Sequence, residues 1–333
     1  MSGSANKRVF SGVQPSGALH LGNYAGAIKN WVRLQDEMDC FYSIVDYHAM
    51  TIGYKAKDMP KRIHQVAVDL LACGVDPNKC KLFVQSDVPE HAELAWILSC
   101  VAPMGELNRM TQFKEKSGRT ESVNVGLFTY PVLQAADILL YRADTVPVGE
   151  DQLQHLELAR EIARRFNSAF RKTFPEPQPM LTKAARIMSL QDPTSKMSKS
   201  VDGSAIMLGA EESEIRKQIK RAVTGMGEPG QIPPGVENLL TLLELFAGVE
   251  AAEPYRKAQI EGSIRYGDLK AELTEALLEG LAPIREKRKE LLADPKMVEQ
   301  VLGDSASEAR KVAQVVLSQV RQNAGLKPKP ASV

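Results

Sequence analysis

Apolar and polar positions along the first 204 residues follow two alternating periods. Short apolar runs of strand length are separated by longer segments in which apolar residues recur three and four positions apart, the period of an amphipathic helix. This β-α-β-α order predicts a parallel, doubly wound sheet, because parallel strands need helical crossovers. The predicted strands are 8–11, 40–45 and 81–85, and the predicted helices are 21–35, 58–74 and 89–101.

The second predicted helix has clear signals at both ends. Asp58 is expected to cap its start, Pro60 lies in its first turn, and Gly74 ends it. Its inward face is an apolar stripe formed by Ile63, Val66, Ala67, Leu70 and Leu71. In a sheet wound in this way, ligands bind beyond the carboxyl ends of the strands, where residues 14–23 are predicted to lie.

The pattern of predicted secondary structure changes at about residue 205. Before it we predict a helix at 132–141, a strand at 145–148, a helix at 150–165, a proline-containing surface loop around 175–179 and a last strand at 187–190. After it only helical periods occur, at 212–222, 236–246, 268–292 and 305–323. The predicted fold is therefore α/β: a Rossmann-like doubly wound parallel sheet over residues 1–204, with an additional all-helical domain over residues 205–333. The last helix is a candidate for packing back on the first domain.

Composition narrows the class of protein. With 44% hydrophobic and 25% charged residues, the 333-residue chain resembles an ordinary soluble globular protein, and no apolar run is long enough to cross a bilayer. We expect no membrane association and a cytoplasmic location, with a processed organellar protein as the alternative.

Four scattered cysteines without a Cys-x-x-Cys pair argue against a zinc site and a disulfide framework. A net charge of +1 means that any polyanion must be bound by local patches.

A turn rich in small residues follows the first predicted strand, with the sequence Pro15-Ser16-Gly17-Ala18-Leu19-His20-Leu21-Gly22-Asn23. Gly17 and Gly22 let the backbone approach a polyanion, His20 and Asn23 carry hydrogen-bond donors, and a helix N-terminus favours negative charge. Taken alone, these nine residues are equally typical of an ordinary capped turn between a strand and a helix.

A second polar motif, Lys196-Met197-Ser198-Lys199-Ser200, follows the predicted strand at 187–190. In this order on a βαβ frame, the two motifs resemble those of the class I aminoacyl-tRNA synthetases. The turn matches the "HIGH" signature of the family with Asn23 in place of its final His, and the second motif matches the "KMSKS" loop at every position.

Longer blocks resemble the bacterial-type tryptophanyl branch of that family. They are residues 10–17, 45–49, 105–114, 135–139 and 146–152. One departure is Gln134, where many bacterial members carry Met; a Gln there also resembles the tyrosyl enzymes, so tyrosine stays open as the substrate. Two further alternatives are a nucleotidyltransferase outside the synthetases and a catalytically silent paralogue.

The resemblance implies a two-step reaction and its partners. L-tryptophan would be joined to the α-phosphate of ATP, with Mg²⁺ on the phosphate oxygens and pyrophosphate released, and then transferred to the 3′ end of tRNA(Trp) by a homodimer. Because the amino acid carboxylate is already ionised, the first step needs positioning and charge stabilisation rather than a general base. The implied catalytic residues are His20, Asn23, Lys196 and Lys199. The implied ATP-binding residues are Gln14, Pro15, Ser16, Gly22, Asn23, Gly149, Glu150, Asp151, Ile187, Lys196, Met197, Ser198, Lys199 and Ser200.

Asp137 is the candidate for amino acid selection. It lies in an apolar predicted helix, where a carboxylate that accepts the indole N–H would provide specificity that an apolar pocket lacks. A hydrogen bond between helices is the alternative for Asp137, and a satisfied core histidine is the alternative for His48. The other implied tryptophan-binding residues are Phe10, Gly12, His48, Tyr130, Gln134, Val146, Val148 and Gln152.

Two basic clusters lie in the helical part of the sequence. They are Arg216, Lys217, Lys220 and Arg221, and then Arg285, Lys287, Arg288 and Lys289. Either cluster has the charge to track tRNA phosphates, and either is also typical of a solvated helix face balanced by nearby glutamates.

Overall fold

A five-stranded parallel sheet forms the centre of the protein, as seen in a computed structural model that describes residues 7–110, 124–181, 186–199, 201–225 and 230–327. The strand order is β3-β2-β1-β4-β5. This order reverses between β1 and β4, which is the point where parallel sheets of this kind bind ligands. The strands are β1 (Arg8–Val13), β2 (Asp39–Ile44), β3 (Cys80–Val84), β4 (Thr145–Val148) and β5 (Gln178–Leu181).

Helices connect and cover these strands. A continuous helical stretch after β1 consists of α1 (Leu21–Asn23), a π-helical segment (Tyr24–Ile28) and α2 (Lys29–Leu34). The helices that follow within the sheet region are α3 (Asp46–Ala49), α4 (Met59–Ala72), α5 (Glu90–Ser99), α6 (Met104–Arg109), α7 (Val125–Leu140) and α8 (Leu153–Ala169). The helical region consists of α9 (Glu212–Arg221), α10 (Pro234–Ala247), α11 (Val249–Ile260), α12 (Tyr266–Ala293) and α13 (Pro295–Asn323).

The sheet has a separate hydrophobic core on each face, because successive side chains of a strand point to opposite sides. Val9 and Tyr42 belong to the first core, which also contains residues of α2, α4, α10 and α12. Phe10 follows Val9 and Phe41 precedes Tyr42, so their side chains point to the other face of the sheet. Both belong to the second core, together with residues of α5, α7, α8 and α13. The first core continues without interruption from the sheet into the helical region.

The helical region packs on the sheet region through its two longest helices. Helix α12 lies against α4, and α13 lies against β3, α4 and α5. Among the described residues, no helix combines the length and the apolar character needed to span a membrane.

The last strand of the sheet is not where the sequence predicted it. Residues 187–190 are outside the sheet, and Met188 forms only an isolated antiparallel bridge with Lys196. The fifth strand is instead β5, in the segment whose prolines indicated a loop, with Pro179 opposite Val146. An edge strand tolerates proline because the missing N–H can face solvent.

Several helix boundaries also differ from the predictions. Helix α7 begins at Val125 and carries Pro131 inside it, and its start is capped by Asn124, which accepts a hydrogen bond from the Leu127 N–H at 2.8 Å. Helix α11 was not predicted, and α13 begins ten residues before the predicted 305. The Asp58 side chain makes no capping hydrogen bond to α4, although Pro60 lies in the first turn as expected.

We expect the second core to be sensitive to loss of a single ring. Phe166 is fully buried on α8, so Phe166→Ala should lower the free energy of unfolding by about 3–5 kcal/mol through lost burial and a residual cavity. Its neighbour Phe170 is 41% exposed, and Phe170→Ala should cost less than about 1 kcal/mol. Urea denaturation of both variants measures the difference, and equal losses would contradict this assignment of the core.

Candidate active site

A cavity of about 310 Å³ opens between the carboxyl ends of β1 and β4. Its volume is in the range of sites for small organic ligands. Ser11, Gln14, Val45, Ile138 and Pro147 contribute to its lining. The structure also brings to this cavity every residue predicted for the amino acid pocket, namely Phe10, Gly12, His48, Tyr130, Gln134, Asp137, Val146, Val148 and Gln152.

One wall of the cavity is apolar and tightly packed. Phe10 is 4% exposed and stacks on Tyr141, with ring centroids 5.7 Å apart and planes 7° apart. A side chain at Gly12 would place its Cβ only 2.8 Å from Cγ1 of Val45, so the strand surface stays flat at this position. A flat apolar ring is the ligand shape that such walls accept.

Among the residues that the structure describes, Asp137 is the one carboxylate that lines the cavity, and it is 1% exposed. Its Oδ1 accepts hydrogen bonds from Gln85 Nε2 and His91 Nδ1, both at 2.7 Å, and its Oδ2 accepts one from His48 Nε2 at 2.8 Å. Burial opposes ionisation, but the adjacent His48 imidazole and the His91 hydrogen bond outweigh it and hold the pKa of Asp137 below its usual range. Asp137 is therefore an ionised acceptor at neutral pH.

Asp137 occupies a position that is compatible with both sequence interpretations, and its role in amino acid selection stays a prediction. The carboxylate links α7 to His91 of α5, which is the predicted type of contact between helices, and it also lines the cavity. The same holds for His48, which is a buried, hydrogen-bonded histidine and a lining residue.

Gln85, His91 and Tyr141 are parts of this network that sequence reasoning did not identify. Burial raises the pKa of Tyr141 well above its ordinary value, so the hydroxyl keeps its proton, and it lies 2.8 Å from His91 Nε2. The other ring nitrogen of His91, Nδ1, faces the Asp137 carboxylate and donates to it. No local signal marks these residues, since His91 is 46 positions from its partner in sequence.

The far end of the cavity carries polar side chains. The Tyr130 hydroxyl lies 2.8 Å from His155 Nε2, and burial raises the pKa of Tyr130 to about 12, so the phenol is neutral. Gln134, the departure from the family pattern, donates from Nε2 to Gln152 Oε1 at 3.4 Å. A Gln at position 134 thus adds an amide pair to this end of the cavity.

The turn after β1 is closed by a reciprocal capping box at the start of α1. His20 Nδ1 accepts from the Gly22 N–H at 3.1 Å, and Asn23 Oδ1 accepts from the His20 N–H at 3.0 Å. Because Nδ1 is an acceptor, the ring proton is on Nε2, where it can be donated to a ligand. Burial, followed by the charge of Lys199, lowers the pKa of His20 to about 4.

The Lys/Ser loop reaches the same turn. Lys199 Nζ lies against the Ser16 carbonyl and 3.1 Å from Ser16 Oγ. Gly17 has φ +104°, a conformation that other residues rarely adopt, and a Cβ there would approach Lys199 Nζ. Burial lowers the pKa of Lys199. The two motifs therefore face each other across one small region.

The loop is anchored through its apolar members. The Met197 N–H donates to the Ile187 carbonyl at 3.2 Å, and the side chains of both residues lie in the first core. Only their backbones are available to a nucleotide. The Ser198 N–H lies 3.2 Å from Ser204 Oγ, Lys196 is exposed, and Ser200 lies outside the described residues.

The remaining predicted nucleotide residues flank the turn and β4. Gln14 lines the cavity and Pro15 is buried beside it. Gly149, Glu150 and Asp151 are exposed directly after β4, where Gly149 precedes a 3₁₀ turn at Glu150–Gln152. The cavity, the turn and the loop thus meet at the carboxyl ends of two neighbouring strands.

The family assignment follows from comparison with known proteins. A family model described as class I tRNA synthetases (W and Y) matches residues 3–282. This chain belongs to that family. It is 49% identical over 327 residues to the tryptophan–tRNA ligase of Wolinella succinogenes, covering 96% of this chain and 99% of that protein. It is 48% identical over 327 residues to the tryptophan–tRNA ligase of Caldanaerobacter subterraneus subsp. tengcongensis, covering 96% and 98%.

Solved structures agree with this assignment. Tryptophanyl-tRNA synthetase from Campylobacter jejuni, complexed with ADP and tryptophan, superposes with a TM-score of 0.84 at 37% identity over 96% of this chain and 100% of that one. The enzyme from Mycoplasma pneumoniae gives a TM-score of 0.85 at 35% identity over 97% and 98%. The predicted membership of the bacterial tryptophanyl branch of the class I synthetases, and the Rossmann-like α/β fold, are confirmed.

Four members of the two basic clusters form ion pairs with carboxylates of the protein, three of them between helices and one within a helix. Arg216 pairs with Glu275 at 2.6 Å, Arg285 with Glu212 at 3.2 Å and Lys287 with Glu290 at 2.9 Å. Arg288 pairs with the buried Asp69. The other four members, Lys217, Lys220, Arg221 and Lys289, are exposed.

The low pKa of His20 predicts an unusual titration. NMR of the free protein should show the His20 ring taking up a proton near pH 4 rather than 6.5, because burial and Lys199 disfavour the cation. The unfolded chain binds that proton at higher pH, so His20 removes stability as pH falls from 6.5 towards 4. Comparison with His20→Asn assigns the resonance among the five histidines. A midpoint near 6.5 would refute the environment described for His20.

Proposed function

We propose that this chain is a tryptophan–tRNA ligase that forms tryptophanyl-adenylate from L-tryptophan and ATP and then charges the 3′ end of tRNA(Trp). The observation that carries the proposal is one ionised carboxylate, Asp137, in a cavity that has an apolar wall and a polar end and lies beside the two phosphate motifs. Amino acid selection and nucleotide chemistry would then occur at opposite ends of the same site.

The indole ring would lie between Phe10 and the valines at 146 and 148. Its N–H would donate to Asp137 Oδ2, which keeps a lone pair besides the one used by His48. Tyr130, Gln134 and Gln152 would hold the amino group at the far end, where their hydroxyl and amide groups lie. This pose directs the carboxylate of the amino acid towards Gln14 and the phosphate turn.

In the first step, a tryptophan carboxylate oxygen forms a bond to the α-phosphorus of ATP while the bond to pyrophosphate breaks. No proton is transferred, so the protein contributes alignment and charge. His20 Nε2–H would bind phosphate, and the ammonium groups of Lys196 and Lys199 would stabilise the departing pyrophosphate. Glu150 and Asp151 would face the ribose.

The nucleotide is expected to enter as its Mg²⁺ complex. Among the described residues, no group of three or more His, Cys, Asp or Glu side chains is arranged to hold a metal ion. Mg²⁺ in ATP sites is usually held mainly by phosphate oxygens, and this is the arrangement that we expect here. The His, Lys and Ser donors of the two motifs would then bind the phosphate oxygens that the ion leaves free.

The tRNA would contact the helical region, over residues 205–333. Lys217, Lys220, Arg221 and Lys289 are exposed cations there and are the candidates for phosphate contacts.

The cysteines at 40, 73, 80 and 100 are free, although Cys40 and Cys80 are neighbours across β2 and β3. Free thiols at such close positions are compatible with the reducing cytoplasm that we propose as the location.

We also infer a homodimer through the outer surface of α5 and α7. Trp96 is 74% exposed and Val125 is 77% exposed, and an apolar groove lies beside Trp96 between Ala92 and Leu133. Large exposed apolar groups that flank a groove are typical of a protein interface.

Amino-acid-dependent ATP–pyrophosphate exchange over all twenty amino acids tests the activity. Exchange with tryptophan alone is expected. Exchange with tyrosine instead, or with none of the twenty, would refute the proposed function.

Asp137→Asn tests the selection step. Losing the ionised acceptor should raise KM for tryptophan by about 10- to 100-fold while KM for ATP changes by less than about threefold, since hydrogen bonds to charged groups contribute roughly 1.5–3 kcal/mol. Asp304→Asn, the same change at an exposed position on α13, is the matched control. Equal losses for tryptophan and ATP would indicate that Asp137 only supports the fold.

The dimer proposal has its own test. Trp96→Glu places a charge in the proposed interface and should convert the protein to a monomer in sedimentation equilibrium. Val315→Glu, at a position that is 69% exposed on α13, should leave the mass unchanged. A wild-type monomer, or a Trp96→Glu dimer, would place the interface elsewhere or exclude it.

A further inference from the structure

A fully buried carboxylate lies directly behind the phosphate turn. Asp69, on α4, is 0% exposed, and its Oδ2 accepts a hydrogen bond from the Leu19 N–H at 2.7 Å. Leu19 immediately precedes His20, the residue that caps α1. The position of Asp69 therefore decides where the chain enters the cap.

The partner of this carboxylate comes from the helical region. Arg288, on α12, donates from Nε to Asp69 Oδ1 at 2.5 Å, and its side chain is 18% exposed. The two residues are 219 positions apart in sequence. In this way α12 makes a polar contact, through one carboxylate, with the backbone of the phosphate turn.

Arg288 also covers the segment that follows the Lys/Ser loop. A Cβ built on Gly209 would lie 2.5 Å from Arg288 Nη1 and 2.7 Å from its Cζ, so only glycine lets the guanidinium approach the backbone here. The adjacent backbone pairs with the turn: the Leu21 N–H donates to the Ile206 carbonyl and the Leu208 N–H donates to the Leu19 carbonyl, both at 2.9 Å.

The energetics favour a positioning role over a stabilising one. Burial raises the pKa of Asp69, and the Leu19 N–H and Arg288 act against that rise. A buried ion pair recovers its desolvation cost only partly, so well-packed apolar residues would often give equal stability. Apolar residues, however, could not accept the hydrogen bond that fixes the direction of the Leu19 N–H. Asp69 has no exposed surface and no place in the tryptophan cavity.

We propose that the Asp69–Arg288 ion pair is a positioning element through which helix α12 sets the phosphate turn for ATP. The proposal rests on the function proposed above and assigns Arg288 to this task rather than to tRNA phosphate. Loss of the pair lets Leu19 and the His20 cap move, which weakens ATP binding and leaves the distant end of the tryptophan cavity unchanged.

Calorimetry with MgATP and, separately, with L-tryptophan tests the proposal without relying on turnover. Arg288→Met should weaken MgATP binding by about tenfold, in line with the loss of one buried charged hydrogen bond, and change the Kd for tryptophan by less than about twofold. Arg288→Lys should recover part of the affinity. Arg285→Met, on the same helix and paired with the exposed side chain of Glu212, is the matched control and should behave as wild type.

Gly209→Ala provides an independent variant, because it displaces the guanidinium and keeps both charges. It should reproduce the selective loss of MgATP affinity. Wild-type MgATP affinity in Arg288→Met, or equal loss of MgATP and tryptophan affinity in Arg288→Met and Gly209→Ala, would overturn the proposal. Failure of the wild-type exchange reaction would refute the proposed function alone, because these affinities are measured without it.

Discussion

A carboxylate with 1% exposure stays ionised only if hydrogen-bond donors replace the water that it has lost, and Asp137 takes its donors from three elements of the fold. His48 comes from α3 after β2, Gln85 from the turn after β3, and His91 from the first turn of α5. These donors converge only because β2 and β3 lie side by side in parallel register and α5 packs on α7. The acceptor in the cavity therefore depends on the assembly of the whole second core.

The strand β1 joins the two halves of the site. Phe10 faces the second core and lines the cavity, whereas Leu19 and Leu21, in the turn that follows this strand, belong to the first core. Gln14 lies between them at the end of the strand. The proposed amino acid and nucleotide sites thus lie on the two sides of one strand, and their reacting groups can meet at its carboxyl end.

Local sequence patterns were reliable where the local chain decides the outcome. The four-residue strand at 145–148 was predicted with its correct ends. The residues that the family resemblance named for the amino acid pocket all line one cavity, and their binding role stays a prediction. Local patterns gave wrong predictions where a residue remote in sequence takes the hydrogen bonds or the charge of the segment. The apolar run at 187–190 has the signature of a strand, but the Ser195 carbonyl and the Met197 N–H take its backbone groups, and the sheet edge passes to the proline-containing β5. Arg288 has the signature of a surface cation, but it is paired with a buried carboxylate.

The sequence by itself determined the family, the alternation of strands and helices in the sheet region and the identity of the chemical groups, because motifs and helix or strand periods are properties of neighbouring residues. Tertiary structure alone decided which groups neutralise one another. Asp137 meets histidines that are 46 and 89 positions away. Likewise, the backbone of Leu19 and Leu21 pairs with the remote segment 206–208. Such pairings follow from burial, which makes each polar group find a donor or acceptor wherever the packed chain places one.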